Sequence, residues 1–375
     1  MEAIGIICEY NPFHLGHASQ MARIREAFGR DGAIVCLMSG SFVQRGEPAI
    51  FPRLARARAA LRSGADLVLE MPVYGSLSSA EGFARTGVRF LSPICTRLCF
   101  GTESGTAETL TATAEVLLSP SFPDALRDAL KTGVSFPAAR QTALENMGLS
   151  AGLLGRPNDI LGVEYCKAIL ETGSALTPFP IFRPGDYHAD TPDPNNPSAT
   201  ALRKAILRGE AWERFVPPEA YSCLAAAPVS TLDAGERAVL YRLHTMTDEE
   251  FEALPYGSEG LWRRLMHAAR EEAALEEIFT AAKTKRYTRT RLNRMVLCAF
   301  LGITEEAIAK IMSDQEFEND MREDSNGIGL QNVISRLRLF YDTNDIFEIS
   351  SLGENKGTRV VISIPLSKKE EEVHV

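Results

Sequence analysis

Residues 4–17 read IGIICEYNPFHLGH, and this stretch decides which fold we predict. Residues 4–8 form a short apolar run without a charge, as expected for a strand that is buried on both faces of a sheet. A helical pattern starts at about Phe13 and continues to about Phe28. The polar residues between them stand where a parallel strand ends, which is where such sheets bind ligands.

The same alternation of apolar runs and helical patterns continues along the chain. The next predicted elements are strand 33–38, helix 52–63, strand 66–71, helix 79–91 and strand 97–100. Short connections between alternating strands and helices are typical of β-α-β units. We therefore predict an α/β fold with a Rossmann-like parallel sheet, followed from about residue 198 by mostly helical sequence and, at the end, by a short α+β tail.

Composition narrows the class of protein. Of the 375 residues, 45% are hydrophobic and 24% are charged, which is typical of a globular protein and excludes a coiled coil, a collagen-like fibre or a largely disordered chain. No window is apolar enough for a membrane span. The seven cysteines are scattered, and the pair Cys95 and Cys99 has no further ligand at zinc spacing. These features predict a cytoplasmic protein without disulfides, membrane contact or a metal centre of its own.

Charge is distributed unevenly. The net charge is −9, and residues 302–375 carry 15 acidic against 8 basic residues, so this tail accounts for −7. Residues 283–294 read KTKRYTRTRLNR, with six basic residues and no acidic one. Such a cluster can neutralise phosphates, and Tyr287 within it can stack on a base. A solvated helix face is the alternative interpretation.

The strongest chemical signal is the HxGH element after the first strand. His14 and His17 are three residues apart, so a helical turn brings both imidazoles to one face. Gly16 between them leaves room for a ligand against the backbone. A helix N-terminus at this point adds free N–H groups and partial positive charge. The pattern predicts a phosphate pocket in which the imidazoles donate to the charge on a pyrophosphate leaving group.

A second element follows a loop at 191–197 that is rich in Pro and Asn. Residues 198–203 read SATALR at a predicted helix start. Ser198 and Thr200 can simply cap that helix. Because Arg203 follows three residues after Thr200, a hydroxyl and a guanidinium can also meet one phosphate.

Together, HxGH and the later Ser/Thr-x-x-Arg element resemble the HIGH-type nucleotidyltransferase superfamily. More narrowly, GIICEYNPFHLGH, MSGSFVQRGEPAI, ADLVLEMPV, SSAEGFA, FGTESG, RPNDILGVEY and the SAT-LR element resemble, in order over residues 1–301, the tRNA(Met) cytidine acetate ligase family. The resemblance implies that acetate is activated with ATP, accompanied by Mg²⁺, to acetyl-adenylate and pyrophosphate. It also implies transfer of the acetyl group to the wobble cytidine of elongator methionine tRNA, with no role for DNA.

The resemblance also implies roles for individual residues. The implied catalytic residues are His14, His17, Ser198, Thr200 and Arg203. The implied ATP contacts are Ile7, Cys8, Glu9, Tyr10, Asn11, Pro12, Phe13, His14, Leu15, Gly16, His17, Ala18, Ser19, Gln20, Gly101, Asn158 and Arg183. With tRNA as a partner, the basic cluster is predicted to contact it through Lys283, Lys285, Arg286, Arg289, Arg291 and Arg294. Gln44, Arg45 and Glu47 are expected near acetate or the target cytidine, with a purely structural role as the alternative.

We predict three parts: a nucleotidyltransferase domain at 1–205, a helical tRNA-facing domain at 206–301 and a tail at 302–375. SNGIGLQNV and GTRVVISIP in the tail resemble the C-terminal end of a sensor histidine kinase ATPase domain. The phospho-acceptor segment and the Asn box of that domain are missing, so we predict a fused fragment that pairs with itself or packs poorly.

Three other functions remain open from the sequence. The chain could be a nucleotidyltransferase acting on another small substrate, or a tRNA-binding protein that retains an ATP pocket. A kinase-type ATPase would require turnover that depends on Gly327 and Gly329.

Overall fold

The structure is a computed structural model, and it describes residues 2–134, 136–149, 151–183, 197–284, 286–312, 347–351 and 358–362. The chain forms two compact units, Met1–Glu306 and Ala307–Val375. The strands are β1 (Ala3–Cys8), β2 (Ala33–Ser39), β3 (Phe42–Val43), β4 (Glu47–Pro48), β5 (Leu67–Met71), β6 (Arg97–Thr102), β7 (Thr177–Phe182), β8 (Phe347–Ser351) and β9 (Thr358–Ile362). The helices are α1 (Leu15–Phe28), α2 (Arg53–Arg62), α3 (Val73–Ser76), α4 (Ala80–Leu91), α5 (Ala107–Leu118), α6 (Phe122–Leu130), α7 (Phe136–Asn146), α8 (Pro157–Thr172), α9 (Ala199–Leu207), α10 (Pro218–Leu224), α11 (Glu236–Thr245), α12 (Asp248–Glu252), α13 (Leu261–Glu271), α14 (Leu275–Ala282), α15 (Arg289–Leu301) and α16 (Glu305–Met312).

The central element is a five-stranded sheet with the order β5-β2-β1-β6-β7, in which every neighbouring pair is parallel. From β1 the chain moves outward through β2 to β5, and it then returns to β6 on the other side of β1. The direction in which successive strands are added to the sheet therefore reverses between β1 and β6. In open α/β sheets, the crevice at the carboxyl ends of the strands at such a reversal is the usual ligand site.

Successive side chains of β1 point alternately to the two faces of the sheet. Ile4 and Ile6 point to one side, where they join a core with Met21 and Ile24 of α1. Ile7 points to the opposite side, into a second core that also contains residues of α4, α5 and α8. Both faces are thus covered by helices, which explains why this strand reads as a continuous apolar run.

The α/β fold and its parallel sheet confirm the predicted fold class, and the four predicted strands correspond to β1, β2, β5 and β6. Two features were not predicted. The edge strand β7 carries the sequence TPFPIF, whose prolines argue against a strand. The short antiparallel pair of β3 and β4 forms a hairpin that follows β2.

The later helices build a separate core that runs from Val239 to Ala299. Ala220 and Leu224 of α10, by contrast, belong to the core on the α1 face of the sheet. The division of the chain at residue 205 stays a prediction. Among the described residues, no helix has the length and apolar character that crossing a membrane would require.

In the second unit, β8 and β9 pair antiparallel, with Phe347 opposite Ile362. The two described strands of the tail thus pair with each other, which is one of the two outcomes expected for it. Gly327 and Gly329 lie outside the described residues, and the resemblance to a kinase fragment stays a prediction.

Candidate active site

The HxGH residues form the N-terminus of α1. His14 is the N-cap, and its Nδ1 accepts the backbone N–H of Gly16 at 3.1 Å. Nδ1 of His17, one turn later, accepts the backbone N–H of His14 at 3.3 Å. The two rings stack with their centroids 3.7 Å apart. Because each Nδ1 accepts a hydrogen bond, each neutral ring carries its proton on Nε2 and keeps that N–H as a donor.

Both imidazoles are held neutral. Burial, with a smaller contribution from the Arg183 guanidinium, lowers the pKa of His14 to about 3. Burial, His14 and Arg183 together hold the pKa of His17 well below its ordinary value. At neutral pH the pair therefore offers two N–H donors without the mutual repulsion of two cations.

This burial predicts how stability depends on pH. Below the ordinary histidine pKa of 6.5 the unfolded chain takes up a proton that His14, with a pKa of about 3, cannot take up when folded. We therefore expect the free energy of unfolding to fall as the pH drops from about 6.5 toward 3. His14→Asn, which keeps a good N-cap, should weaken this dependence, measured by urea unfolding at pH 7, 6 and 5. An unchanged slope, equal to that of a variant at the exposed His244, would contradict the assignment.

Arg183 lies against two glycines at the reversal point of the sheet. It directly follows β7, and its N–H donates to the carbonyl of Thr102 at 2.8 Å. A Cβ at Gly16 would stand 2.7 Å from Arg183 Nη2, and one at Gly101 would stand 2.7 Å from Arg183 Cδ. The two missing side chains leave the space in which this guanidinium lies beside the histidine rings. Three predicted ATP contacts, at Gly16, Gly101 and Arg183, are therefore brought together.

The loop after β6 is organised by a residue that sequence reasoning missed. Asp159, with no exposed surface, accepts hydrogen bonds from the hydroxyls of Thr102 and Ser104 and from backbone N–H groups of the same loop. Burial raises the pKa of Asp159, but these donors outweigh it and leave the pKa below its ordinary value. Its neighbour Asn158 donates from Nδ2 to Glu103 at 2.7 Å. The start of α8 thereby fixes the shape of the loop that follows Gly101 and the end of β6.

The SATALR motif at residues 198–203 contacts the HxGH loop, and the contacting residues are 192 positions apart in the chain. Ser198 is the N-cap of α9, and its hydroxyl accepts the backbone N–H of Ala201 at 3.1 Å. Arg203 donates from Nη1 to the carbonyl of Asn11 at 2.8 Å and from Nη2 to the Thr200 hydroxyl at 3.3 Å. The guanidinium thus bridges the HxGH loop and the hydroxyl of its own motif. That Thr200 and Arg203 meet one phosphate stays a prediction.

Several of the predicted ATP contacts between residues 7 and 20 serve the core. Ile7, Cys8, Tyr10 and Phe13 are each at most 9% exposed and belong to the two cores of the sheet. The Gln20 side chain points to Cys99. Contact of these residues with ATP stays a prediction.

Two arginines of the basic cluster form close ion pairs with acidic residues from elsewhere in the chain. Arg286 pairs with Glu259 at 2.7 Å, and Arg289 pairs with Glu276 at 2.6 Å. Tyr287 is buried, and its hydroxyl donates to the carbonyl of Glu259 at 2.6 Å, so the expectation that its ring stacks on a base is wrong.

The four other basic residues of the cluster differ in their surroundings. Arg291 donates to Tyr256 and Ser258, Lys283 is exposed, and Lys285 lies outside the described residues. Arg294 is only 9% exposed and donates to the carbonyl of Gln44 at 3.2 Å. Contact of the cluster with tRNA stays a prediction.

Comparison with known proteins agrees with this geometry. A doubly wound parallel sheet with a capped histidine pair at its reversal point, bridged by a later Ser/Thr-x-x-Arg element, defines a nucleotidyltransferase of the HIGH class. The sequence model of the family HIGH Nucleotidyl Transferase matches residues 1–322, which is beyond the expected limit at about residue 301. Within this class, the chain belongs to the tRNA(Met) cytidine acetate ligase family.

The relatives are similar over most of their length. The tRNA(Met) cytidine acetate ligase of Clostridium perfringens is 34% identical over 327 residues, which cover 82% of this chain and 81% of that protein. The Bacillus subtilis protein of the same name is 38% identical over 311 residues, or 79% and 75% of the two chains. The crystal structure of Thermotoga maritima TmcAL in its apo form has a TM-score of 0.76 at 32% identity and covers 83% of this chain and 78% of that one. A second structure of that protein, bound with alpha-thio ATP, has a TM-score of 0.74, also at 32% identity, and covers 83% and 77%.

Proposed function

We propose that this chain is an ATP-dependent ligase that activates acetate as acetyl-adenylate, releases pyrophosphate and transfers the acetyl group to the wobble cytidine of elongator methionine tRNA. The observation that carries the chemistry is the pair of neutral, stacked imidazoles at the start of α1, beside the Arg183 guanidinium. Donors fixed in a buried setting stabilise charge that develops on a leaving pyrophosphate. The substrates are taken from the relatives, which carry this activity in their names.

Adenylation suits a site without a nucleophile of its own. Acetate is a poor electrophile because its leaving group would be oxide, and joining it to AMP provides a good one. The enzyme then has to align the acetate with the α-phosphate and stabilise the products. Ser198 and Thr200 take part in capping and in holding Arg203, and neither has to be acylated.

Mg²⁺ is proposed to accompany ATP. Within the part of the chain that the structure describes, no group of three or more His, Cys, Asp or Glu side chains could hold a metal ion. Mg²⁺ keeps several waters and binds phosphates readily, so we propose that the triphosphate and water provide most of its ligands. We also propose a cytoplasmic location, because the proposed substrate is a tRNA.

The test is a reaction of the purified protein with ATP, labelled acetate and methionine tRNA, followed by nucleoside mass spectrometry. We expect acetylcytidine in elongator methionine tRNA, and acetate-dependent exchange of pyrophosphate into ATP without tRNA. Exchange that depends on a different acid would favour a nucleotidyltransferase for another small substrate. Binding of tRNA without any ATP turnover would favour the binding protein with a residual pocket.

A further inference from the structure

The carboxylate of Glu9 lies at the end of β1, where it binds the β3–β4 hairpin and interacts electrostatically with the Arg203 guanidinium. Its Oε1 accepts the backbone N–H of Gln44 at 2.8 Å. Gln44 belongs to the β3–β4 hairpin, which follows β2, whereas Gly101 and Arg183 belong to the ends of β6 and β7. Because β2 and β6 flank β1 on opposite sides, the hairpin and the phosphate-binding residues approach the site from opposite directions.

The hairpin is fastened to α15. The carbonyl of Gln44 accepts Nη1 of Arg294 at 3.2 Å, and the carbonyl of Arg45 accepts Nδ2 of Asn293 at 3.4 Å. Gly46 has a φ of +74°, and a Cβ there would stand 2.4 Å from the backbone nitrogen of Arg294. Gln44 therefore connects two parts of the molecule: its N–H holds Glu9, and its carbonyl is held by Arg294.

The surroundings of Glu9 combine burial, a hydrogen bond to the hairpin and three nearby cations. Three guanidinium groups act on it, Arg203 from α9, Arg45 from the hairpin and Arg56 from α2. Glu9 in turn adds to the effect of burial in raising the pKa of Tyr165 in α8. Burial nevertheless raises its pKa above the ordinary value, despite the Gln44 N–H and the three cations. A carboxylate would repel the triphosphate, whereas a carboxylate with a raised pKa is suited to accept a proton.

We propose that Glu9 accepts the proton that the exocyclic amine of the target cytidine loses when it attacks the acetyl-adenylate, and that Arg294 positions Glu9 through Gln44. This proposal rests on the proposed function. The amine nitrogen forms the bond to the acetyl carbon, and the bond from that carbon to the phosphate oxygen breaks. AMP leaves with the electron pair, and the amine proton passes to the Glu9 carboxylate and from there to water.

The experiment measures the two half-reactions separately in Glu9→Gln. We expect acetate-dependent pyrophosphate exchange to fall by at most about tenfold, because Glu9 is itself an implied ATP contact beside Arg203, whereas the histidine pair and Arg183 are unchanged. Single-turnover transfer to tRNA should fall by about 10²–10⁴-fold, the range that general-base catalysis supplies. In the wild type the transfer rate should decline as the pH falls through the raised pKa of Glu9, and in Glu9→Gln this decline should disappear.

Matched variants separate the outcomes. Glu2→Gln makes the same charge change at the other end of β1, where the carboxylate binds Thr96 and Arg97, and should leave both half-reactions unchanged. Arg294→Lys keeps the charge but loses the planar guanidinium that donates to the Gln44 carbonyl. It should slow transfer about tenfold without slowing exchange. If Glu9→Gln does not fold, Glu9→Asp serves instead, with slower transfer and the pH decline retained.

Two results would overturn the proposal. Equal loss of exchange and transfer in the Glu9 variant would assign this residue to ATP binding or to folding, and unchanged transfer would exclude it from the proton step. A wild-type protein that exchanges pyrophosphate but never acetylates methionine tRNA would instead refute the proposed function, before any variant is compared.

Discussion

Replacing His14 or His17 with alanine is expected to lower acetate-dependent pyrophosphate exchange by about 10²–10³-fold, the usual cost of removing one preorganised donor to a developing anion. Each ring is neutral, and the hydrogen bond accepted by its Nδ1 leaves Nε2–H as its donor. Because the rings stack at 3.7 Å, the loss of one also removes the support of the other. We expect the double variant to lose less than the product of the two single effects.

The measurement is the initial rate of exchange of labelled pyrophosphate into ATP, with tRNA affinity determined in parallel. An enzyme should lose exchange and keep its affinity for tRNA. His244→Ala, at an exposed position on α11, is the matched control and should change neither quantity. Exchange within threefold of wild type in both single variants would remove the histidine pair from the chemistry.

Arg56→Met is expected to lower the free energy of unfolding by about 3–5 kcal/mol, because it leaves several buried acceptors without a donor. Arg56 has no exposed surface. Its guanidinium donates to the carbonyl of Phe51 at 3.0 Å and also to those of Glu9 and Gly40. One side chain thus ties the ends of β1 and β2 to the start of α2, and burial lowers its pKa to about 10, so it stays charged at neutral pH.

Urea unfolding followed by circular dichroism gives the stability. Arg53→Met is the control, since Arg53 is half exposed and its pairing with Glu70 at 3.4 Å is a surface contact. The control should change stability by less than about 1 kcal/mol. If Arg56→Met lowered the free energy of unfolding no more than the control does, the carbonyls around Arg56 would have found other donors, and the prediction would be wrong.

The fold was predictable from the sequence where local pattern and tertiary position agree. β1 and β2 are buried on both faces and read as continuous apolar runs, so their limits were predicted to within a residue. β7 was missed because Pro178 and Pro180 break the pattern of a strand. As an edge strand, β7 has one side that needs no hydrogen-bond donors, and there prolines are tolerated.

At the site, the residues that lie close in sequence were recognised, and those brought together by the fold were not. The HxGH spacing and the Thr200–Arg203 pair follow from the helical repeat. Nothing local to Asp159 indicates that it holds a loop more than fifty residues earlier in the chain. The acidic partners of the basic cluster could not be predicted for the same reason, because Glu259 and Glu276 meet Arg286 and Arg289 only in the folded protein.

The close approach of Gly46 to the backbone of α15 has a practical consequence for protein engineering. A truncated protein that ends before α15, designed as a minimal acetate-activating module, would lack the surface on which the hairpin rests. Leu77 and Phe42 would lose their apolar neighbours Leu297 and Cys298. We expect such a fragment to aggregate through that uncovered surface. Shortened or chimeric versions of the protein should therefore keep the helices through α15 together with the sheet.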